Sequence, residues 1–531
     1  MSDNPKELIF DEEARQKLFA GIQTLADVVA STLGPKGRNV GLEKTWGAPT
    51  ITNDGSSITR DFSLNDPFEN MGVSIAKEVV QKMKELCGDG TTTATLLLRT
   101  FVKQGLKYVS AGASPIDLKR GMEKAVNAVI EQLEKTAIPV KNHQEIINVA
   151  SVSASSNKEI GIIIANAIEK VGKTGVITVE EAKSTQTTVE VVEGMRFDRG
   201  YMSPYFCTDS EKMTAELTDC DLLLVDKKIS SVHDILPLLE TIASSGRELL
   251  IVAEDFEADV LPTLVVNRLR GTLRVSAVKA PGFGDNRKAS LQDIAALTGA
   301  TVVCEELGMS LKETDSSVFG HCDRVSITKD STTIVSSHGN KEAIKERITL
   351  IEGEMKASSS DYEKKKLEER KAKLSGGIAQ IRVGAATEPE LKNQKQAFED
   401  SLNSTRAAIE AGIVPGGGVA LLEARKAIAE LTLSGDEQLG AKIIAHACET
   451  PIRQIAANTG KDGSVIVSEI AKQNNPRVGF NALTEQLEDL VESGVIDPVK
   501  TLITALRSAC SAAVVTLLSE ALISDAQEET E

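Results

Sequence analysis

Aromatic side chains are scarce in this chain: Phe, Tyr and Trp make up 3% of its 531 residues, and there is a single Trp. A protein so poor in rings builds aliphatic cores and offers few platforms for stacked nucleobases. Positive charge is also in deficit. Lys and Arg total 60 against 77 Asp and Glu, for a formal net charge of −17, and a surface of that sign repels phosphate backbones. Nucleic acid is therefore not an expected partner. Long apolar runs are missing as well, since stretches such as 512–518 fall far short of the roughly 20 residues a membrane span requires; no membrane partner is expected. The seven Cys include no CxxC pair and read as buried, reduced thiols of a cytosolic protein. The opening segment MSDNPKELIFDEEARQ is polar and acidic, unlike a secretory signal or an Arg-rich transit peptide, so a cytoplasmic location is expected. The length predicts about two to four domains of α/β or α-rich character.

Helical periodicity dominates the first 135 residues. Leu18, Ile22, Leu25, Val29 and Leu33 recur at helical intervals up to Gly34-Pro35, which cannot continue a helix. A strand-like stretch at 38–42, a turn at Asn53-Asp54-Gly55 and helices at 70–86 and 92–104 follow. The middle differs. Strand-like runs at 221–225, 248–253, 273–278 and 300–304 alternate with helical segments at 233–244, 260–269 and 290–297, which predicts βαβ units and a largely parallel sheet. The charged stretch 340–374 keeps Ile344, Ile348, Ile351 and Met355 at helical spacing and reads as a solvated helical hairpin. Helices return at 400–411, 419–429 and 505–523, with a Gly-rich loop at 412–418 and an acidic tail, SDAQEETE, expected to be disordered. Helical ends around an α/β insert suggest that both ends of the chain form one discontinuous domain.

Several familiar signatures fail on inspection. Gly172-Lys173-Thr174 ends like a Walker A loop, but Ala167 stands where that loop needs Gly. Gly282-Phe283-Gly284 begins a dinucleotide fingerprint that Arg287 breaks. Cys304, His321, Cys322 and His338 have no zinc-finger spacing and read as scattered structural residues. Three segments are richer. Gly88-Asp89-Gly90-Thr91-Thr92-Thr93 precedes a helix, whose free N–H groups and hydroxyls suit phosphate oxygens, while Asp89 suits Mg²⁺; an ordinary Asp/Thr helix cap fits the same residues equally well. Thr32-Leu33-Gly34-Pro35 with Lys36 and Arg38 is either a nucleotide-facing turn or a simple helix stop. Val414-Pro415-Gly416-Gly417-Gly418 admits a ligand close to the backbone, and Glu399 and Asp400 lie shortly before it, where a carboxylate could orient a water for attack on a phosphoryl group.

Taken together, TLGPKGRNV, the NDG turn, ENMG, GDGTTTAT, TRAAIEAGIVPGGGVALL and VIDP, with VKAPGFGDNRKASLQDIAALTG and RVGAATE, resemble the group I chaperonins of the bacterial GroEL type from about Glu13 to Ile523. The resemblance implies a multidomain α+β chaperonin fold. A helix-rich equatorial domain spans 1–135 and 411–531, a small intermediate α/β domain 136–192 and 377–410, and an apical α/β domain with βα units 193–376. It also implies an ATP-hydrolysing chaperone that binds non-native proteins, encloses them in a ring cavity and promotes their folding. The implied cofactors are ATP and Mg²⁺, with K⁺ as a further candidate. The implied partners are copies of itself in seven-membered rings, two of them stacked in the family's manner, a small lid co-chaperonin, and non-native clients.

By motif, Thr32, Leu33, Gly34, Pro35, Asp89, Gly90, Thr91, Thr92, Thr93, Gly417, Asn481, Ala482 and Asp497 would bind the nucleotide, and Asp89 would hold the metal. Asp400 would activate water with help from Asp54, and Pro139, Gly412, Gly194 and Gly377 would be hinges. Tyr201, Tyr205, Phe206, Leu236, Leu239, Leu261, Val265 and Val266 would form the client-binding surface. The chain departs from the family pattern at Asn53, where Lys is usual, at Leu483, at Pro262 inside an apical helix, and in its tail, which lacks the Gly-Gly-Met repeat. These departures suggest a divergent second copy and keep open a rival reading, a binding or scaffold protein with little ATP cycling. A small-molecule kinase with a coincidental phosphate loop is disfavoured, because the resemblance reaches both ends of the chain.

Overall fold

The computed structural model describes residues 5–43, 49–154, 157–172, 175–182, 184–209, 213–257, 259–304, 308–336, 341–357, 360–473 and 475–525. Lys173, Thr174, His338 and residues 526–531 of the tail lie outside them. The chain divides into two compact units, Met1–Ala165 with Lys392–Glu531, and Asn166–Leu391.

The first unit is a helical body whose core draws on both ends of the chain. Ile22, Leu25, Met83, Leu97, Phe101, Met122, Ile444, Leu502 and Leu506 share one cluster. Its helices include Asp11–Ala30, Pro67–Cys87, Thr91–Ser110, Pro115–Thr136, Asp436–Ala447 and Val499–Leu518. Reciprocal glycines let two pairs of these helices meet backbone to backbone. A Cβ on Gly21 would fall 1.8 Å from the Glu69 carbonyl oxygen, and one on Gly72 would fall 2.0 Å from that of Leu18. The same arrangement joins Gly121 to Glu437 and Gly440 to Leu118, at 2.0 and 2.3 Å.

The last helix runs over Val499–Leu518 and not over 505–523. The chain then pairs Ala521–Asp525 antiparallel with Lys6–Phe10, so part of the expected tail is a strand. The apolar pattern overran the true end because Leu522 and Ile523 continue it in a different conformation. By length and composition Val499–Leu518, mean hydropathy 1.6, could cross a membrane, yet 61% of it is buried inside the fold. It is a core helix.

The second unit contains a seven-stranded sheet in the order Gly194–Phe197, Thr332–Val335, Gly320–Ile327, Ala215–Ile229, Glu248–Phe256 and Arg274–Lys279, with Val302–Val303 also pairing to Ala215–Ile229. The βαβ reading holds for the strands from 215 to 303, which run parallel. The remainder is antiparallel, because Gly320–Ile327 and Thr332–Val335 form a hairpin. Alternation along one strand fills two cores: Leu222 and Leu224 face Leu291 and Ile294, whereas Leu223 and Val225 face Ile235, Leu238 and Leu264. A separate three-stranded sheet orders Val176–Glu181, Ile378–Val383 and Thr188–Val192.

The helical hairpin exists as Lys341–Ala357 and Asp361–Ser375, but it is docked and not simply solvated. Arg347 Nε and Arg370 Nε reach the buried Asp293 carboxylate at 2.7 and 2.8 Å. The Val260–Leu269 helix runs unbroken through Pro262. The proline sits in its first turn, where backbone N–H groups lack intrahelical partners anyway.

The glycine crossings predict a sharp contrast. Gly72→Val should destabilise the protein by about 3 kcal/mol, whereas Gly353→Ala, with nothing within 4 Å of the added methyl, should be neutral or stabilising by up to about 1 kcal/mol. Chemical denaturation midpoints of the two variants would check this.

Candidate functional site

The Pro67–Cys87 helix stops because Gly88 turns left-handed (φ 72°), its N–H donating to the Lys84 and Met83 carbonyls at 3.0 and 3.2 Å. Gly90 (φ 81°) starts the Thr91–Ser110 helix. Both conformations are strained for any residue with a Cβ. Neighbours also press on the loop: a Cβ on Gly88 would fall 2.5 Å from Asn403 Cβ, and one on Gly90 would fall 2.4 Å from Thr501 Cγ2. The Glu388–Ala411 and Val499–Leu518 helices thereby flank the first turn of Thr91–Ser110, where Thr92 is buried and Thr91 and Thr93 are half-buried.

The structure separates the two readings of this loop. Asp89 does not cap the helix through its side chain; Gly90 is the N-cap and no side-chain cap bond forms. The Asp89 carboxylate accepts from its neighbour's N–H, Gly90 N to Oδ1 at 2.5 Å, and from the Ser153 hydroxyl. The capping residue is Asp54. Its carboxylate takes Ser56 N and Ser57 N at 3.1 and 3.0 Å, and both serine hydroxyls at 2.7 Å. Asp54 is thus fully committed, while Asp400 accepts one hydrogen bond, from Gln396 Nε2 at 2.7 Å.

Asp497 lies in the strand Ile496–Pro498, opposite Val414 of Ile413–Pro415. No described residue donates a hydrogen bond to its carboxylate. The four carboxylates feel one another. Burial raises the Asp400 carboxyl to about 7, against the pull of Lys84 and with the push of Asp54 and Asp89. Burial also raises Asp497 to about 7, with Asp89 adding to it, and raises Asp89 itself, with Asp54 adding. Asp54 alone falls below the usual range: burial opposes this, but the Ser56 and Ser57 donors and Lys84 outweigh it. Lys84 is the residue that sequence reasoning missed, and its Nζ donates to Ser56 Oγ at 3.0 Å.

The other expected nucleotide residues form a second cluster. Asn458 Nδ2 ties down the Thr32–Pro35 turn by donating to the Ala30 and Leu33 carbonyls at 3.0 and 2.8 Å. Lys36 pairs with Glu485 at 2.8 Å, which joins this turn to the one following Asn481 and Ala482. The Asn481 side chain serves its own hairpin, donating to Glu488 and accepting from Leu483 N. A Cβ on Gly417 would touch Leu490 at 3.5 Å and the Phe480 carbonyl at 3.6 Å, ordinary contact distances, so the loop packs on the hairpin that carries Asn481 without a clash.

Mg²⁺ is the implied ion, and the donors are hard oxygens, as it requires. Among the described residues no group of three His, Cys, Asp or Glu could hold a metal alone. Asp89 is therefore suited to a cation that completes its shell with water and phosphate oxygens, which is how Mg²⁺ is usually held.

In the second unit the expected client residues divide. Tyr205 (66% exposed), Leu236 (39%) and Val266 (42%) are open to solvent, and Tyr201, Leu261 and Val265 are half-buried. Phe206 and Leu239 are core residues, since Leu239 lies on the same helical stripe as Ile235, Leu238 and Ile242. Exposed Leu269 and Phe283 were not foreseen.

The raised carboxyls make a pH prediction. A folded-state value of about 7 for Asp497 means that its ionisation costs stability increasingly as pH rises from about 4 to 7, and fully above that. Asp497→Asn should therefore melt higher than the parent at pH 8 without nucleotide, and the difference should vanish as pH approaches 4. Differential scanning calorimetry would read both.

The profile of the TCP-1/cpn60 chaperonin family matches residues 25–527. The chain is 63% identical over 528 residues to the protein named Chaperonin GroEL 3 of Protochlamydia amoebophila (strain UWE25), covering 99% of this chain and 98% of that one. Its fold is similar to the crystal structure of the chaperonin gp146 from the Pseudomonas aeruginosa bacteriophage EL 2, with a TM-score of 0.70 and 21% identity over 97% of this chain and 98% of that one. The chain belongs to the TCP-1/cpn60 chaperonin family, on its group I, bacterial side.

Proposed function

We propose that this chaperonin binds ATP with Mg²⁺ at the Asp54, Asp89, Asp400 and Asp497 site, hydrolyses it, and uses the cycle to bind, enclose and release non-native proteins. The observation that carries this reading is the glycine-built start of the Thr91–Ser110 helix, where a Cβ on Gly88 would fall 2.8 Å from the Asp400 carbonyl oxygen and one on Gly55, next to Asp54, would fall 2.6 Å from Thr92 Oγ1. Such a site is costly unless a cation and its ligand occupy it.

The division of labour follows from the contacts. N–H groups and hydroxyls of Thr91, Thr92 and Thr93 receive phosphate oxygens at the positive end of their helix. Asp89 would hold the Mg²⁺, which when bound neutralises charge on the phosphates. Asp400, raised to about 7, orients the attacking water and takes its proton, as a base with a value near the working pH does well. Asp54 fixes the Gly55–Asp61 helix against this loop, since a Cβ on Gly55 would fall 2.6 Å from Thr92 Oγ1. Thr32–Pro35, Gly417, Asn481 and Ala482 would take the adenosine.

In this reading Asp400 belongs to an intermediate domain of 136–192 and 377–410, between an equatorial domain of 1–135 and 411–531 and an apical one of 193–376. The lower hinge is supported by the paired crossing of Ile138 and Ile413, whose N–H groups donate to each other's carbonyl at 2.8 and 2.9 Å. Gly412 (φ 85°) stands beside it. Tyr205, Leu236 and Val266 would offer clients non-directional apolar contact. Copies of the chain in stacked seven-membered rings, a lid co-chaperonin and a cytoplasmic setting complete the proposal.

Asp400→Ala should keep ATP affinity within about threefold and slow steady-state hydrolysis roughly 10²-fold or more. Calorimetric binding and phosphate release measured on the same preparation would show this. A variant turning over at the parent rate would remove Asp400 from the mechanism.

A further inference from the structure

A site with four carboxylates that receives a polyphosphate needs positive charge beyond the metal's. Position 53 brings none, because Asn53 is neutral and exposed. Several basic side chains of the first unit are engaged elsewhere: Arg60 with Asp61 at 3.4 Å, Lys77 with the Arg60 carbonyl at 3.0 Å, Lys36 with Glu485 at 2.8 Å, and Lys500 with Glu410 at 2.6 Å.

Lys84 differs from them. It occupies the last turn of Pro67–Cys87, and its carbonyl accepts the Gly88 N–H that forms the loop. Its half-buried side chain turns toward the site: Nζ donates to Ser56 Oγ at 3.0 Å, and Ser56 Oγ donates in turn to Asp54 Oδ2 at 2.7 Å. Its partner is a neutral hydroxyl. No carboxylate of a described residue holds it in a direct ion pair, so the ammonium can turn to an incoming anion without breaking one.

We infer that Lys84 is the phosphate-side cation of this site, held in reserve on the Ser56 hydroxyl. Its electrostatic reach is consistent with this, since it draws down the carboxyls of both Asp54 and Asp400. The assignment rests on the nucleotide reading above. Because a triphosphate carries its charge before and during the reaction, Lys84 acts mainly on affinity and less on the chemical step.

The test uses full-length protein with ATP and Mg²⁺. Lys84→Gln should raise the KM for ATP roughly tenfold while changing kcat less than about threefold. It should also make ATP affinity less sensitive to salt. Lys84→Arg, and Lys84→Gln combined with Asn53→Lys next to Asp54, should each restore most of the affinity by returning a cation to the site. If Lys84→Gln binds ATP as tightly as the parent, the assignment is wrong. A loss that neither cation rescues assigns Lys84 a merely structural part and also overturns it. If the parent itself binds no ATP, the nucleotide reading falls and takes this assignment with it.

Discussion

Burial of the carboxylates around Asp89 is the constraint on which the candidate site depends: Asp54 adds to the rise of Asp89 and Asp400, and Asp89 adds to that of Asp400 and Asp497. Hydrogen bonds satisfy only Asp54 in full, and the rest are pushed toward neutrality by burial and by one another. A fold does not gain stability from such an arrangement. It persists because the surrounding backbone fixes each carboxylate independently of the others, at a helix cap, a glycine loop, a long helix and a short strand. The chemistry proposed here uses that stored electrostatic cost: a cation bound together with an anion removes it.

The scaffold that holds these groups depends on pairings between distant parts of the chain. Lys6–Phe10 pairs with Ala521–Asp525, and Arg15 Nη1 adds a bond to the Ser519 carbonyl at 3.1 Å. Ile413–Pro415 pairs with Ile496–Pro498 and sets Asp497 beside the Gly416–Gly418 turn. Ser153 Oγ and Ser404 Oγ are hydrogen-bonded at 2.6 Å, and Ser401 Oγ donates to the Ala150 carbonyl at 2.6 Å, which secures the helix carrying Asp400. Reciprocal glycines at the helix crossings leave little room for adjustment.

Legibility in the sequence followed the range of the interactions. The loop at Gly88–Gly90 and the parallel strands from 215 to 303 could be read because local residue types determine them. That Asp54 caps a helix was also open to local reading, since Asp followed by Gly-Ser-Ser is a cap pattern. The spacing of Leu239 to Ile235 and Ile242 reads as core by itself, and only the family resemblance assigns it to the client surface. The place of Lys84 could not be read. Its partner Ser56 lies on another helix, and one solvated-looking lysine near a helix end resembles any other. The terminal strands were hidden for the same reason: their pairing spans almost the entire chain, and Leu522 and Ile523 prolong the apolar pattern of the helix before them.

The most direct measurement of the central claim is thermal unfolding of the parent protein with Mg²⁺ alone, with ATP and a chelator, and with both ligands. If the carboxylates need cation and nucleotide together, the combination should stabilise by about 3 kcal/mol at a hundredfold excess over Kd, and either ligand alone should shift the midpoint by less than a third as much. Equal stabilisation by Mg²⁺ alone, or by ATP without Mg²⁺, would contradict the account.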